Sequence, residues 1–412
     1  MHVYLPLQRF ERCFKCEKKE ELRLCSRCGE ATYCSQACQK SDWDVHKLNC
    51  GKTDIIDLSK FYPILACLAE SSHVFKEKPV HPALLHKVIN DANPGVLPCE
   101  LPDGLSPAKL LILGGERQLE ARPNDKTWMP LAKTLKIEGK LIRRVVREGY
   151  ALPIAMAICV ALVRAIYTTT YSKDGGKRVR LRYGSSPIAD FGICTGSAIV
   201  KSQDRLAYWL PSGEILPGQD PSQHYWIYFT TTRGEEITVD LAMFTFNVCT
   251  VVPTFGYGPL EMSAPTPFAP VFFRDREIRK NSPELYNERG RLSILRNATV
   301  LSMFDDPKCV SEGGFYSEFA LNKLVSVAEQ FAGHSFSDAE VEMLKLSAVR
   351  HSSLLSKEIQ TENWKRYPKE VMLAIEQDPG QCDNLEKKGT AWAKTMQKWK
   401  RAYRKTNAST KQ

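Results

Sequence analysis

The chain has 412 residues, 43% apolar and 25% charged, with 57 Lys and Arg against 47 Asp and Glu for a formal net charge of +10. That balance argues against a disordered chain and suits two or three compact units. The longest apolar run, Tyr150 to Tyr167, carries Pro153 and Arg164 and falls short of the ~20 residues a bilayer demands, so a buried helix and no membrane association are expected.

The first element in chain order is a cysteine cluster. Seven of the fourteen cysteines fall between Cys13 and Cys50, joined by one histidine, in the pairs Cys13-x2-Cys16, Cys25-x2-Cys28, Cys34-x3-Cys38 and His46-x3-Cys50. A Cys-x2-Cys knuckle aims two sulfurs at one ion, and ligands four apart share a face of a helical turn. Two tetrahedral zinc sites would consume all eight; spacing alone leaves open which pairs share an ion. Ser35 is placed to cap the turn bearing Cys38, and Ser41 to Asp44 reads as a capping box for the turn bearing His46 and Cys50. With few large aliphatics, about fifty residues cannot bury enough surface to fold, so metal ligation must supply the difference. Seven thiolates subtract seven charges and two zinc ions return four, leaving a folded chain at about +7. No cationic stretch leads into an apolar run at the start, so reduced thiols and an intracellular setting, nucleus or cytoplasm, are expected.

Beyond Cys50 the spacing turns helical: "TDIIDLSKFYPILACLAESSHVF" from Thr53, "PALLHKVIND" from Pro82 and "DKTWMPLAKTLKIEGKLIRRVVREGY" from Asp125. A Pro-rich linker, Ala92 to Pro107, precedes a strand-like "AKLLILGG". From Arg178 the period becomes two, in "RVRLRYG", "RLAYWL", "HYWIYFTTT" and "EEITVDLAMF", which predicts a small antiparallel sheet over roughly 178 to 250. Helices are expected again in "SPELYNERGRLSILRNATVLSMF", in "SEFALNKLVSVAEQFAG" ending at Gly333, and after a Ser337 to Glu340 capping box. The fold class is α+β: a small N-terminal two-zinc finger, then a larger, mostly helical body containing a small antiparallel sheet. The boundaries are 1–52 for the finger, 53–175 helical, 176–255 antiparallel β, 256–380 helical and 381–412 a basic tail. Nine Lys or Arg against one Glu from residue 386 onward, interleaved with Trp and Tyr, make that tail a candidate nucleic-acid contact.

The stretch "YCSQACQKSDWDVHKLNC", Tyr33 to Cys50, resembles the C-terminal half of the MYND-type zinc finger. RING fingers expect Cys-x-His as their third pair, and HIT-type fingers lack the Asp-Trp. The resemblance implies interleaved ligation, with Cys13, Cys16, Cys34 and Cys38 on one structural zinc and Cys25, Cys28, His46 and Cys50 on the other. It also implies protein partners, docked through short proline-containing peptides. The chain as a whole resembles fungal MYND-finger proteins without a SET domain, and an adaptor or regulatory role is expected.

Two enzyme readings compete with that one. "RGEEITVD", Arg233 to Asp240, resembles a segment of SET-type lysine methyltransferases, but no Asn occurs from Phe191 to Tyr228, where that family expects an Asn-His element. The second is a cysteine-dependent hydrolase or acyl transferase, since the His-x-Trp strand resembles the transglutaminase and papain-like core. A hairpin loop of Thr231 to Arg233 would set His224 directly opposite Asp240, with Cys194 as nucleophile. Against it, the residues after Cys194 make a poor amphipathic helix, so nothing would lower the thiol's pKa. No catalytic residue is assigned; His224 is read as a rim residue and Asp240 as a strand-end carboxylate. Cys67, Cys99, Cys159, Cys249, Cys309 and Cys382 are expected to pack in apolar surroundings.

Overall fold

The computed structural model describes residues 3–8, 12–48, 50, 53–92, 98–102, 106–117, 128–168, 178–257, 267–282, 284–309 and 316–376. The basic tail, 381–412, and Cys382 lie outside the described residues. A seven-stranded mixed sheet forms the centre of the body. Its longest strand, Ser186–Ala198, pairs antiparallel on one edge with His224–Thr231, which is followed outward by Glu236–Asp240 and Phe272–Arg274. The other edge takes Arg178–Tyr183 at its start and Tyr286–Ser293 farther on. Thr53–Asp57 closes the sheet, parallel to Arg178–Tyr183.

Alternation along the central strands sends side chains to two buried faces. Phe191, Ile193, Ile227, Phe229, Ile237 and Val239 join the main core on one face. Helix Ala151–Leu162 packs there, between His224–Thr231 and helix Asp338–Gln360. Eleven of its twelve residues are buried, and it runs on into a π-turn, Val163–Tyr167. The apolar run at Tyr150 is therefore a core helix, and no single described helix is long and apolar enough to cross a membrane. Trp226, Tyr228, Cys194, Met243, Phe246 and Tyr286 form a second cluster on the opposite face.

The expectation of a mostly helical body with a small antiparallel sheet is corrected. Besides the seven-stranded sheet there are a four-stranded one, built on Lys109–Glu116 with Leu206–Trp209 parallel to it, and a three-stranded one built on Thr250–Pro253. Three segments read as helical contribute strands: Thr53–Asp57, His86–Val88 and Tyr286–Ser293. Tyr286–Ser293 is polar and half of its residues are exposed, so it carries no apolar period. Its clue lies on the partner strand, at Gly192 and Gly196. A Cβ there would sit 2.0 Å from the Leu292 carbonyl oxygen and 2.1 Å from that of Asn287, so only glycine admits the neighbouring backbone.

The stop at Gly333 and the capping box at Ser337 form as expected in the C-terminal helices. Ser317 caps Glu318–Ala332, Gly333 ends it in the left-handed region at φ +78°, and Ser337 with Glu340 closes a full capping box on Asp338–Gln360. Cys67, Cys159, Cys249 and Cys309 are buried, whereas Cys99 is exposed beside an isolated bridge to Ala108, which corrects its placement in the core.

The finger sits against the body rather than apart from it. The Glu30 carboxylate lies 3.1 Å from Arg180 Nε and accepts a hydrogen bond from Thr53 Oγ1 at 3.0 Å. Arg180 is buried over the Tyr167 ring and donates to the Tyr4 carbonyl, which ties the N-terminal arm to the same point.

Candidate metal centres

Strands Arg23–Leu24 and Thr32–Tyr33 pair as a short antiparallel ladder, and helices Gln36–Ser41 and Trp43–His46 follow. The Ser35 hydroxyl accepts the Cys38 amide at 3.2 Å, so the expected cap is in place. The capping box at Ser41 to Asp44 does not form. Ser41 ends the first helix and Asp42 sits in the right-handed helical region at φ −93°, ψ −5°, where its side chain cannot reach the amides that follow. Asp42 instead accepts the Tyr33 hydroxyl at 2.7 Å, which fixes the corner between the two helices.

All eight candidate ligands converge, and the pairs interleave. Cys13, Cys16, Cys34 and Cys38 form one cluster, and Cys25, Cys28, His46 and Cys50 the other, with the ligand atoms of each within 4.8 Å of one another. A zinc ion with Zn–S bonds of about 2.3 Å requires tetrahedral sulfur separations of about 3.8 Å, slightly less toward nitrogen. In the first cluster Cys16, Cys34 and Cys38 have sulfurs 3.4, 3.6 and 3.7 Å apart. In the second, Cys25 and Cys50 are 3.7 Å apart and His46 Nε2 lies 3.3 and 3.6 Å from Cys25 and Cys28. These spacings are far beyond an S–S bond of about 2.05 Å and match the edges of two zinc tetrahedra. The chain thus carries one site of four cysteines and one of three cysteines and a histidine, compatible with two zinc ions.

Thiol electrostatics point the same way. Burial opposes ionisation of Cys13, but the amides of Cys16, Cys34 and Lys15 outweigh it and hold the thiol at about 6. Cys34, hydrogen-bonded to the Cys16 and Cys38 sulfurs, is pushed up to about 12. In the second cluster burial again opposes ionisation of Cys25, yet the Cys28 amide and His46 bring it to about 7. Burial lifts Cys28 to about 12 and raises Cys50 as well. Without a dication, each cluster favours one thiolate at the expense of its neighbours; a bound dication would allow the others to ionise. With four protein ligands per ion, no position is left for a reacting water, so both sites are structural in kind.

The enzyme candidates are brought together only in part. His224 Nε2 lies 2.6 Å from Asp240 Oδ2, and both side chains are fully buried. They meet diagonally. The ladder pairs Ile227 with Val239, and its loop is Thr232 to Gly234, one residue later than expected, because Gly234 takes the left-handed position at φ +79°. Continued outward, that register sets Asp240 opposite Trp226. Asp240 also accepts the Tyr286 hydroxyl at 2.9 Å and the amides of Ala242 and Met243, so it pins a 3-10 turn, Met243–Phe246, to the sheet. His224 is therefore an interior residue, not a rim one. Cys194 lies mid-strand opposite Trp226, and burial pushes its thiol above the ordinary range. No described contact joins its sulfur to His224, and no helix begins beneath it.

Comparison with known proteins agrees with the finger geometry. The MYND finger family model matches residues 13–50. Among curated proteins, the chain is similar to the N-lysine methyltransferase SMYD2 of Mus musculus, 33% identical over 72 residues, 18% of this chain and 16% of that protein. The Homo sapiens SMYD2 is 52% identical over 40 residues, 10% of this chain and 9% of its own length. SMYD2-A of Xenopus laevis is 42% identical over 50 residues, 12% of each chain. The match thus spans between 9% and 16% of these three relatives. No solved structure matches the chain. Residues 13–50 are a MYND finger, a protein-interaction module.

Proposed function

We propose that the protein is an adaptor or regulatory protein whose MYND finger docks short proline-containing peptides of partner proteins. The supporting observation is a row of rings on the finger. Phe14, Tyr33, His46 and Trp43 follow one another with centroids 6.5, 5.7 and 5.9 Å apart. Phe14 at one end and Trp43 at the other are exposed, as are Val45 and Leu48 on the same helical segment. Exposed aromatic surface on a metal-braced scaffold suits proline rings, which reach it already extended and lose little entropy on docking. The reading includes a nuclear or cytoplasmic setting, where unoxidised thiols are kept available as ligands. The basic tail adds a salt-sensitive contact to nucleic acid.

The test is fluorescence anisotropy of the full chain against an array of labelled proline-containing hexapeptides. At least one should bind, and the double variant Trp43→Ala, Leu48→Ala should weaken it by about tenfold or more while retaining both zinc ions by native mass spectrometry. Failure of every peptide to bind the zinc-loaded protein, or binding indifferent to the double variant, would reject the reading.

A further inference from the structure

A cleft of about 90 Å³ runs along the seam where the finger meets the body. At the 10–15 Å³ that roughly one water claims, it has room for a branched aliphatic side chain. Three separate parts of the chain build its apolar lining: Leu7 from the N-terminal arm, Leu24 from the finger, and Ile55 and Ile188 from the central sheet. Leu7, Leu24 and Ile55 remain half-buried, so the cleft presents apolar surface that the fold itself leaves uncovered.

The charges around it do not cancel. Glu30 and Arg180 neutralise one another across the seam. Arg27 and Arg182 line the same cleft and are exposed, and their side chains make no hydrogen bond or ion pair to a described residue. Arg27 stands between Cys25 and Cys28, where three thiolates and one Zn²⁺ would leave a single negative charge for it to answer. Arg182 stands opposite Asp57 in the parallel ladder, but Asp57 Oδ1 accepts the Ser59 amide and hydroxyl at 3.1 and 2.7 Å and forms no ion pair with Arg182, whose guanidinium stays exposed. At Ser185 the cleft meets a wider basin lined by two arginines, Arg233 and Arg276, and two glutamates, Glu235 and Glu277, whose formal charges balance.

We infer that this seam is a second docking site, separate from the ring row on the finger, and that it takes an extended acidic peptide anchored by an aliphatic side chain. The aliphatic group fills the space between Leu24 and Ile188, and a flanking carboxylate pairs with the planar fork of Arg182. A peptide is favoured over nucleic acid because, among the described residues, no aromatic side chain lines the cleft to stack a base.

The probe is a fluorescein-labelled peptide, GELDLG, titrated into the zinc-loaded full chain beside its uncharged counterpart GQLNLG. The acidic peptide should bind about fivefold or more tightly at low salt, with the advantage shrinking as salt screens it. Arg182→Glu should abolish that preference and Arg182→Gln reduce it, both with two zinc ions retained. Trp43→Ala, which disables the ring row, should leave GELDLG binding unchanged and so separates this site from the proposed proline-peptide site. Equal binding of the two peptides, or a preference indifferent to Arg182, overturns the inference. An Arg182-dependent single-stranded oligonucleotide that displaces GELDLG would also overturn it, by making the seam a general polyanion site.

Discussion

In the finger, four of the six buried apolar residues are cysteines, the others being Ala31 and Tyr33. In the body, one helix, Ala151–Leu162, buries eleven residues between a sheet face and another helix. The two regions therefore draw their stability from different sources: ligand bonds to a dication in one, and removal of hydrocarbon from water in the other. They should respond to different insults.

The sharpest separation is metal removal. Structural zinc supplies on the order of 10–16 kcal/mol to small fingers, so stripping both ions should unfold residues 13–50, and native mass spectrometry before treatment should count two. Release should come in two steps. Cys16 is exposed and Cys34 and Cys38 are half-buried, while Cys25, Cys28 and Cys50 are buried, so a chelator should empty the first cluster sooner. Cys34→Ser should cost that ion and leave the body's near-UV circular dichroism in place. A single-step release, or collapse of the body with the finger, would erase the distinction.

The converse experiment empties the body's core. Phe229 is fully buried on the helix-facing side of the sheet, and Phe229→Ala should cost about 3–5 kcal/mol, read as a fall in the urea midpoint of the body's tryptophan fluorescence. The zinc count should stay at two. Loss of metal in this variant would mean that the body's packing holds the finger's ligands together.

A smaller effect concerns acid. His351 is buried on Asp338–Gln360, where its Nε2 meets the Ser72 hydroxyl at 2.9 Å, and burial holds its imidazole down to about 3. The unfolded chain, with a histidine near about 6.5, takes up that proton first. This group's contribution is thus complete above about pH 6.5 and declines as the pH falls toward 3, by up to about 1.4 kcal/mol per unit. His351→Gln should flatten that part of the pH profile in chemical denaturation. Because both proteins carry the same finger, the comparison cancels the metal's own sensitivity to acid.

Legibility followed the range of the interactions. Ligand spacing is local, so all eight metal-site residues could be named from Cys13 to Cys50, although their interleaving rested on resemblance until the clusters were seen. Caps at Ser35 and Ser337 and the stop at Gly333 are also local and were readable. The parallel pairing of Thr53–Asp57 with Arg178–Tyr183 joins segments far apart in sequence, and five residues carry too little pattern to announce it. The polar strand Tyr286–Ser293 gave no period at all, and Glu30 with Arg180 had no sequence signature as partners. The contact of His224 with Asp240 was legible only as the competing reading, and a loop shifted by one residue changed how they meet.

Glu30 also bears on how the molecule could be used. Its amide lies 3.4 Å from the Cys28 sulfur while its carboxylate reaches Arg180, and only two residues separate Cys50 from Thr53 in the central sheet. The module is bolted on rather than tethered. Cargo held by the finger would be delivered at one angle and one distance from the sheet, with no slack to search. Transplanting residues 13–50 onto another scaffold should preserve the grip but lose the aim.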